Sequence, residues 1–238
     1  MKRTIIALAV CLTVLAGCGN GKLSGEKETL TIGVPCTFSS LQIDGYAHFV
    51  TSSTAKVVTV TADKNIVNLV KVKGTEKKLK IDVSNKRLKA LGNEAVQIEL
   101  PYSMKLSNVK MDGSSVFEIP ELLLAPDSKF DTKGSNYIKG VLTFDNLIIN
   151  SEGADIYDID ANGSTLKLTA NGSSSFGSEA IPLLVGEITL DLKGACVAYI
   201  EAPGKCVGTV DGSCEVYAHG DHDYHKIKTL AAAKVMVY

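Results

Sequence analysis

Three of the chain's four histidines fall within seven residues, in His219-Gly220-Asp221-His222-Asp223-Tyr224-His225. Neutral imidazoles interleaved with carboxylates are a ligand set for zinc or a similar ion. The spacing matches no metal motif, however, and alternation along a strand would send Asp221 and His222 to opposite faces. The segment therefore reads as a solvated loop closing the last turn of the fold, and neither metal nor cofactor is expected. A second cluster, Asp155, Asp158 and Asp160, joins Asp221 and Asp223 as carboxylates that could cut a polysaccharide in pairs or hold calcium. Against that reading, the chain has no Trp and only 6% aromatic residues, too few to line a long sugar cleft. It also lacks a Gly-x-Ser-x-Gly elbow, a phosphate loop and a Cys-His pair at a familiar spacing. No catalytic residue is assigned. A non-catalytic surface module that binds glycan, protein or a second copy is the primary reading, and a polysaccharide-cleaving enzyme is the alternative.

The cysteines divide by position. Cys18 follows Leu15-Ala16-Gly17, after a positive head (Lys2, Arg3) and an uncharged apolar run from Ile5 to Leu15. That run is shorter than the about 20 residues a membrane-spanning helix needs, so it reads as a secretory signal. Leu15-Ala16-Gly17-Cys18 resembles the lipobox of bacterial lipoproteins, in which the cysteine is lipidated and becomes the mature N-terminus. Residues 1–17 are then a signal peptide and Cys18 a lipid anchor. Several acyl chains on one cysteine hold a membrane stably where one would not. Residues 18–29 read as a flexible tether, since Gly19 to Glu28 is rich in Gly, Ser and charge. The expected location is the cell envelope, as an outer-membrane lipoprotein at the periplasmic face or the cell surface. Cys36, Cys196, Cys206 and Cys214 remain in the folded part, where an oxidising compartment allows disulfides. Stacked free thiols are the expectation for Cys196 and Cys214, because parallel Cβ vectors fit the disulfide dihedral poorly.

Composition bounds the partners. Removal of Lys2 and Arg3 leaves 23 basic against 26 acidic side chains, a formal charge of −3. No basic excess suggests nucleic acid. The remaining stretch, residues 30–238, is long enough to bury one sizeable core.

That stretch reads as all-β. Leu41-Gln42-Ile43, Leu79-Lys80-Ile81-Asp82-Val83 and Val96-Gln97-Ile98-Glu99-Leu100 alternate with period 2, and Gly, Asn, Asp and Ser clusters separate such runs. Lys86 to Leu91 and Pro120 to Leu124 are the short candidates for helix. In the second half a glycine followed by Ser or Ala recurs at Gly113, Gly134, Gly153, Gly163, Gly172, Gly194 and Gly212. Without Gly163 the steps are 21, 19, 19, 22 and 18 residues. A step near 20 predicts a solenoid with one coil per repeat, rather than a β-sandwich with turns every 8 to 12 residues. Each glycine takes a corner, and Gly163 marks a second corner halfway round. Three residues after a glycine, Val116, Ile156, Leu166 and Val197 are expected in the core, with Tyr137 in the same stack and Glu215 ending it.

The chain resembles the "putative auto-transporter adhesin, head GIN domain" family of Gram-negative surface lipoproteins. The resemblance runs from about Leu30 to Val237. It is carried by Phe38-Ser39-Ser40-Leu41-Gln42-Ile43-Asp44-Gly45, by Val58-Thr59-Val60-Thr61-Ala62-Asp63-Lys64-Asn65, by Leu79-Lys80-Ile81 and by the glycine repeats. It implies a right-handed single-stranded parallel β-helix and an adhesin-like role, with no defined ligand or catalytic residues. The chain departs from the family's Gly-Ser-Gly corners: the second glycine is replaced by Ser115, Asn136, Asp155, Thr165, Ser174, Cys196 or Cys214.

Overall fold

A computed structural model describes residues 23–220, 223–224 and 226–238. The fold is nearly all β and is built on a parallel solenoid of about seven turns, with coils about 19 residues apart.

The corner glycines stack in one column. Gly45 pairs in register with Gly113, and Gly113, Gly134, Gly153, Gly172, Gly194 and Gly212 follow, each beside the last. All have positive φ, from +85° to +138°. A Cβ on any of the later six would sit 2.0 to 2.4 Å from the carbonyl oxygen of the glycine before it. That same oxygen accepts the N–H of the residue after the next glycine: Ser114 to Gly45, Ser135 to Gly113, Ala154 to Gly134, at 2.8 to 3.0 Å. The corner thus needs a bare Cα twice over, for conformation and for close approach. Gly163 is different. It lies inside the long strand Ile156–Gly172 with no positive φ, and a Cβ there would meet the Phe144 ring at 2.2 Å. It makes room for an aromatic side chain on the neighbouring coil and is not a second corner.

The N-terminal end departs from simple repetition. The strands Ser40–Gly45 and His48–Ser52 form a coil lying between two others. On one side are Asn108–Gly113 and Val116–Leu123, and on the other Lys78–Val83 and Val96–Pro101. The chain therefore leaves its first-made coil, builds an outer one, and crosses back to continue. Antiparallel strands cover that outer end: Val58–Asp63 pairs with Lys27–Ile32 and with Val96–Pro101, and Lys71–Gly74 with Lys78–Val83. Such a cap closes an edge that would otherwise offer unpaired N–H and C=O groups. Lys86–Leu91 is a helix, started by Asn85 accepting the Arg87 N–H at 2.9 Å and stopped at Gly92. Pro120 to Leu123, by contrast, continues the strand Val116–Leu123. Pairing starts at Lys27, so Lys27, Glu28 and Thr29 belong to the sheet, three residues before the boundary drawn from composition.

Asp63 ties this cap together. Its carboxylate accepts the backbone N–H of Gly25 at 2.7 Å and of Asn65 at 2.9 Å. Burial alone would raise its pKa, but the N–H bonds outweigh it and hold the group down at about 2. A depressed folded value means stabilisation that is present above the ordinary 3.8 and is lost as pH falls toward about 2. Asp63→Asn is expected to flatten the pH dependence of the urea midpoint across that window while leaving the shape of the curve above it unchanged. An acid limb identical to that of the unsubstituted chain would contradict this role.

Candidate functional site

Of the carboxylate cluster, the fold separates what the sequence put side by side. Asp155 points into the core and is fully buried, whereas Asp158 and Asp160 point outward. The expected core register is off by one. Val116, Tyr137 and Val197 are only partly buried, Ile156 is 47% exposed, and of the four named core residues Leu166 alone is buried. The inward position is instead two residues after the glycine: Ser115, Asn136, Asp155, Ser174, Cys196 and Cys214.

A polar side chain there has a job. At most of these corners the N–H of the inward residue is taken by the side chain on the next rung. Ala47 donates to Ser115 Oγ, Ser115 to Asn136 Oδ1, Asn136 to Asp155 Oδ1, Asp155 to Ser174 Oγ and Cys196 to Cys214 Sγ, at 2.8 to 3.3 Å. Asp155 sits at the centre. Its Oδ1 also accepts the Asn136 amide at 2.9 Å, and its Oδ2 accepts the Thr132 and Ser151 hydroxyls, both at 2.7 Å. Tyr157 donates to Thr132, and Ser174 to Ser151, each at 2.7 Å. Every lone pair that matters is engaged, so this carboxylate is structural. Burial pushes the Tyr157 phenol far above its ordinary pKa and keeps it a donor.

Cys196 and Cys214 stand on adjacent rungs, as the repeat placed them, and the four cysteines of the folded part are free. Burial pushes Cys196 up to about 11 and Cys206 to about 12, so neither is a thiolate nucleophile near neutrality.

Outside, three surfaces carry polar chemistry. Just before the corner, Lys110, Asp112, Asp131, Lys133, Asn150 and Glu152 line an open groove of about 540 Å³. Its side chains bond one another along the axis: Asn150 Nδ2 to Asp131 at 2.7 Å, and Lys133 to Glu152 at 3.1 Å. After the corner, His48 lies 2.9 Å from Glu118, which also pairs with Lys139, and Tyr137 donates to Asp158 at 3.1 Å. The Lys139 ammonium holds the Glu118 carboxyl below its ordinary range, and Glu118 in turn raises Lys139. A general base or acid needs the opposite, a lysine pushed down or a carboxyl pushed up. This is an ion-paired ladder.

The third surface is aromatic. Tyr199 and Tyr217 stack at 4.7 Å between ring centroids, 11° apart, and Tyr238 lies 6.0 Å from Tyr217. His219 tilts against Tyr238 at 6.2 Å. With Glu179 these side chains line a pocket of about 210 Å³. The Glu215 carboxylate accepts the Tyr217 hydroxyl at 2.8 Å and, with burial, pushes that phenol up to about 12. Reading the sequence for chemistry missed this group, although the spacing held the signal: Tyr199 and Tyr217 each lie five residues after a corner glycine.

Of the histidine-rich segment, Asp221, His222 and His225 lie outside the described residues. Tyr224 is buried and donates to the His219 carbonyl at 2.6 Å, and Asp223 lies 3.7 Å from Lys226. No three metal-ligating side chains converge among the described residues. Cys18 also lies outside them. No described helix is long and apolar enough to cross a membrane.

Residues 37–221 match the family described as "Putative auto-transporter adhesin, head GIN domain". No curated protein matches the sequence. Among solved structures, a "putative adhesin" from Bacteroides fragilis NCTC 9343 superposes with a TM-score of 0.66 at 18% identity, covering 90% of this chain and 96% of that one. A "putative adhesin" from Parabacteroides merdae ATCC 43184 gives 0.59 at 18% identity, covering 92% and 98%. A "putative lipid binding protein" from Parabacteroides distasonis ATCC 8503 gives 0.60 at 15% identity, covering 91% and 98%. At these identities the likeness is one of fold.

Proposed function

The chain belongs to the head GIN domain family of auto-transporter adhesin-like proteins, and from that premise we propose that it is a non-catalytic binding module of the cell envelope, held to the outer membrane by lipid on Cys18. The observation that carries the binding reading is the run of outward ladders. Each added coil repeats the same faces, so polar side chains such as Lys110, Asp131, Asn150 and Thr169 form columns along the axis. A contact on such a column is worth about 1 kcal/mol net, and many act together. That arithmetic suits attachment to a glycan or protein chain. Interior packing argues against a lipid carried inside the solenoid, because the core is filled by side chains such as Phe117, Phe130, Tyr157 and Phe176.

The test of binding is a glycan array and a protein pull-down with the purified full chain. Saturable retention on either is expected, and retention on neither would overturn the reading. The anchor has its own test. Cys18→Ala is expected to abolish membrane partitioning and fatty-acid labelling, because the thioether cannot form. A substituted chain that still labels and sediments with membranes would remove the lipoprotein part alone.

A further inference from the structure

We propose that Tyr199, Tyr217, Tyr238, His219 and Glu179 form a subsite for one neutral pyranose ring of a glycan. The inference rests on the binding reading above and names a place and a ligand class for it.

A pyranose presents two unlike surfaces, a patch of C–H bonds on the ring face and hydroxyls around its edge. A site for it must therefore pair flat apolar area with hydrogen-bonding groups at the rim, and must be about the size of one ring. This pocket has each of these. Its volume, about 210 Å³, falls below the roughly 300 to 1,000 Å³ of pockets that take drug-sized ligands. Its walls are three phenol rings and an imidazole, in a chain whose aromatic content is only 6%. Tyr238, the last ring of the stack, is 67% exposed and has a ring neighbour on the Tyr217 side. Glu179 is exposed and makes no ion pair among the described residues, so its carboxylate is available to accept sugar hydroxyls. The imidazole of His219 can donate or accept.

The site is also held still. Tyr199 and Tyr217 occupy registered positions on adjacent coils, and Met236 takes the next rung. The backbone of Tyr238, two residues on, is fixed by its N–H to the Ala218 carbonyl and its carbonyl to the Gly220 N–H, both at 3.0 Å. The Tyr199 and Tyr217 rings, stacked on each other and with Tyr217 bonded to Glu215, lose little freedom when a ligand arrives, which is how weak stacking becomes useful affinity. Charge selects among sugars. Glu179 lines the pocket, whereas Glu215, bonded to Tyr217, pairs with Lys234 at 3.6 Å, so it is the Glu179 carboxylate that repels uronic acids, sialic acids and phosphorylated sugars. An acyl chain would leave the Glu179 carboxylate without a partner.

The chain has eight tyrosines and no tryptophan, so its near-ultraviolet fluorescence is tyrosine fluorescence; three of the eight line this site, and the Tyr217→Ala and Tyr238→Ala variants assign the response to it. The full chain, in a detergent without a sugar headgroup, is titrated with methyl glycosides of neutral hexoses and N-acetylhexosamines, with their soluble oligomers, and with glucuronic acid. A saturable change with neutral sugars is expected, and a weaker one with glucuronic acid. Tyr217→Ala and Tyr238→Ala are each expected to weaken binding by about tenfold or more. Tyr217→Phe should retain most of the affinity, which separates ring stacking from simple loss of fold. The thermal midpoint of each variant is read alongside. Neutral sugars binding Tyr217→Ala and Tyr238→Ala as tightly as the unsubstituted chain would overturn the site while leaving the binding function standing. Glucuronic acid binding as tightly as neutral hexoses would overturn the charge argument and with it the ligand class. Retention of proteins with no saturable sugar response would overturn this inference and keep the broader one, and retention of neither would overturn both.

Discussion

Gly153→Ala is expected to cost the protein about 3 to 5 kcal/mol, summed from backbone strain, overpacking and one lost hydrogen bond. Its φ is +130°, which a side chain strains, and the new methyl would lie 2.3 Å from the Gly134 carbonyl oxygen. The nearest atoms are all Gly134 backbone, so no rotamer change relieves the contact. The coils must separate locally, and the Ala154 N–H bond to Gly134, 2.8 Å long, is the first to stretch. Gly33→Ala is the control. No atom lies within 4 Å of its added methyl and its φ is unremarkable, so a change within about 0.5 kcal/mol is expected. Urea denaturation of both variants measures the difference. Equal midpoints for the two would mean that the corner column tolerates side chains and that the glycine period has another cause.

The second large effect is expected inside the coil. Asp155→Ala removes the acceptor of four hydrogen bonds and leaves the donors of Asn136, Thr132 and Ser151 facing a cavity. A buried unsatisfied donor costs about 1 to 3 kcal/mol, and the two hydroxyls can partly turn away, so a total of about 3 to 5 kcal/mol is expected. Asp155→Asn keeps the acceptor that faces Asn136 and should cost clearly less. Asp158→Ala, three residues on but facing out, should stay within about 1 kcal/mol. Should Asp155→Ala unfold at the same urea concentration as Asp158→Ala, the polar column would be incidental to stability.

These two positions also show what could be read from the sequence and what could not. The corner spacing was legible because a Cβ clash against stacked backbone has one remedy, and glycine appears at each step. The inward register was not, because alternation was anchored on the assumption that buried positions are apolar. At this corner the inward residue must supply an acceptor to its neighbour's N–H, so Ser115, Asn136, Asp155 and Ser174 go in while Ile156 goes out. The departure from the family's second corner glycine was visible, and it marks this column. The N-terminal cap was illegible for another reason. Its antiparallel strands need no corner glycine, and the outer parallel coil sets Val83 rather than a glycine beside Gly45, so residues 46–112 show no glycine period, and nothing local announces that the chain skips over a coil and returns. Gly163 misled because close approach to the Phe144 ring selects glycine as strongly as a turn does. The tyrosine pocket was in the spacing all along. Counting aromatics over the whole chain diluted Tyr199 and Tyr217, which the glycine frame would have put together; Tyr238 lies two residues beyond the matching rung at Met236 and outside that frame.

The central claim is binding without turnover, and a reducing-end assay run on polysaccharides that the full chain retains tests it most directly. Retention with no new reducing ends is the expected result. It follows from an Asp155 carboxylate that is wholly engaged and from a Glu118–Lys139 pair whose shifts favour the charged forms of both groups. Release of reducing ends that a single change, Asp158→Ala, Asp160→Ala or Glu118→Ala, abolishes while the fold survives would contradict the account and make the protein an enzyme.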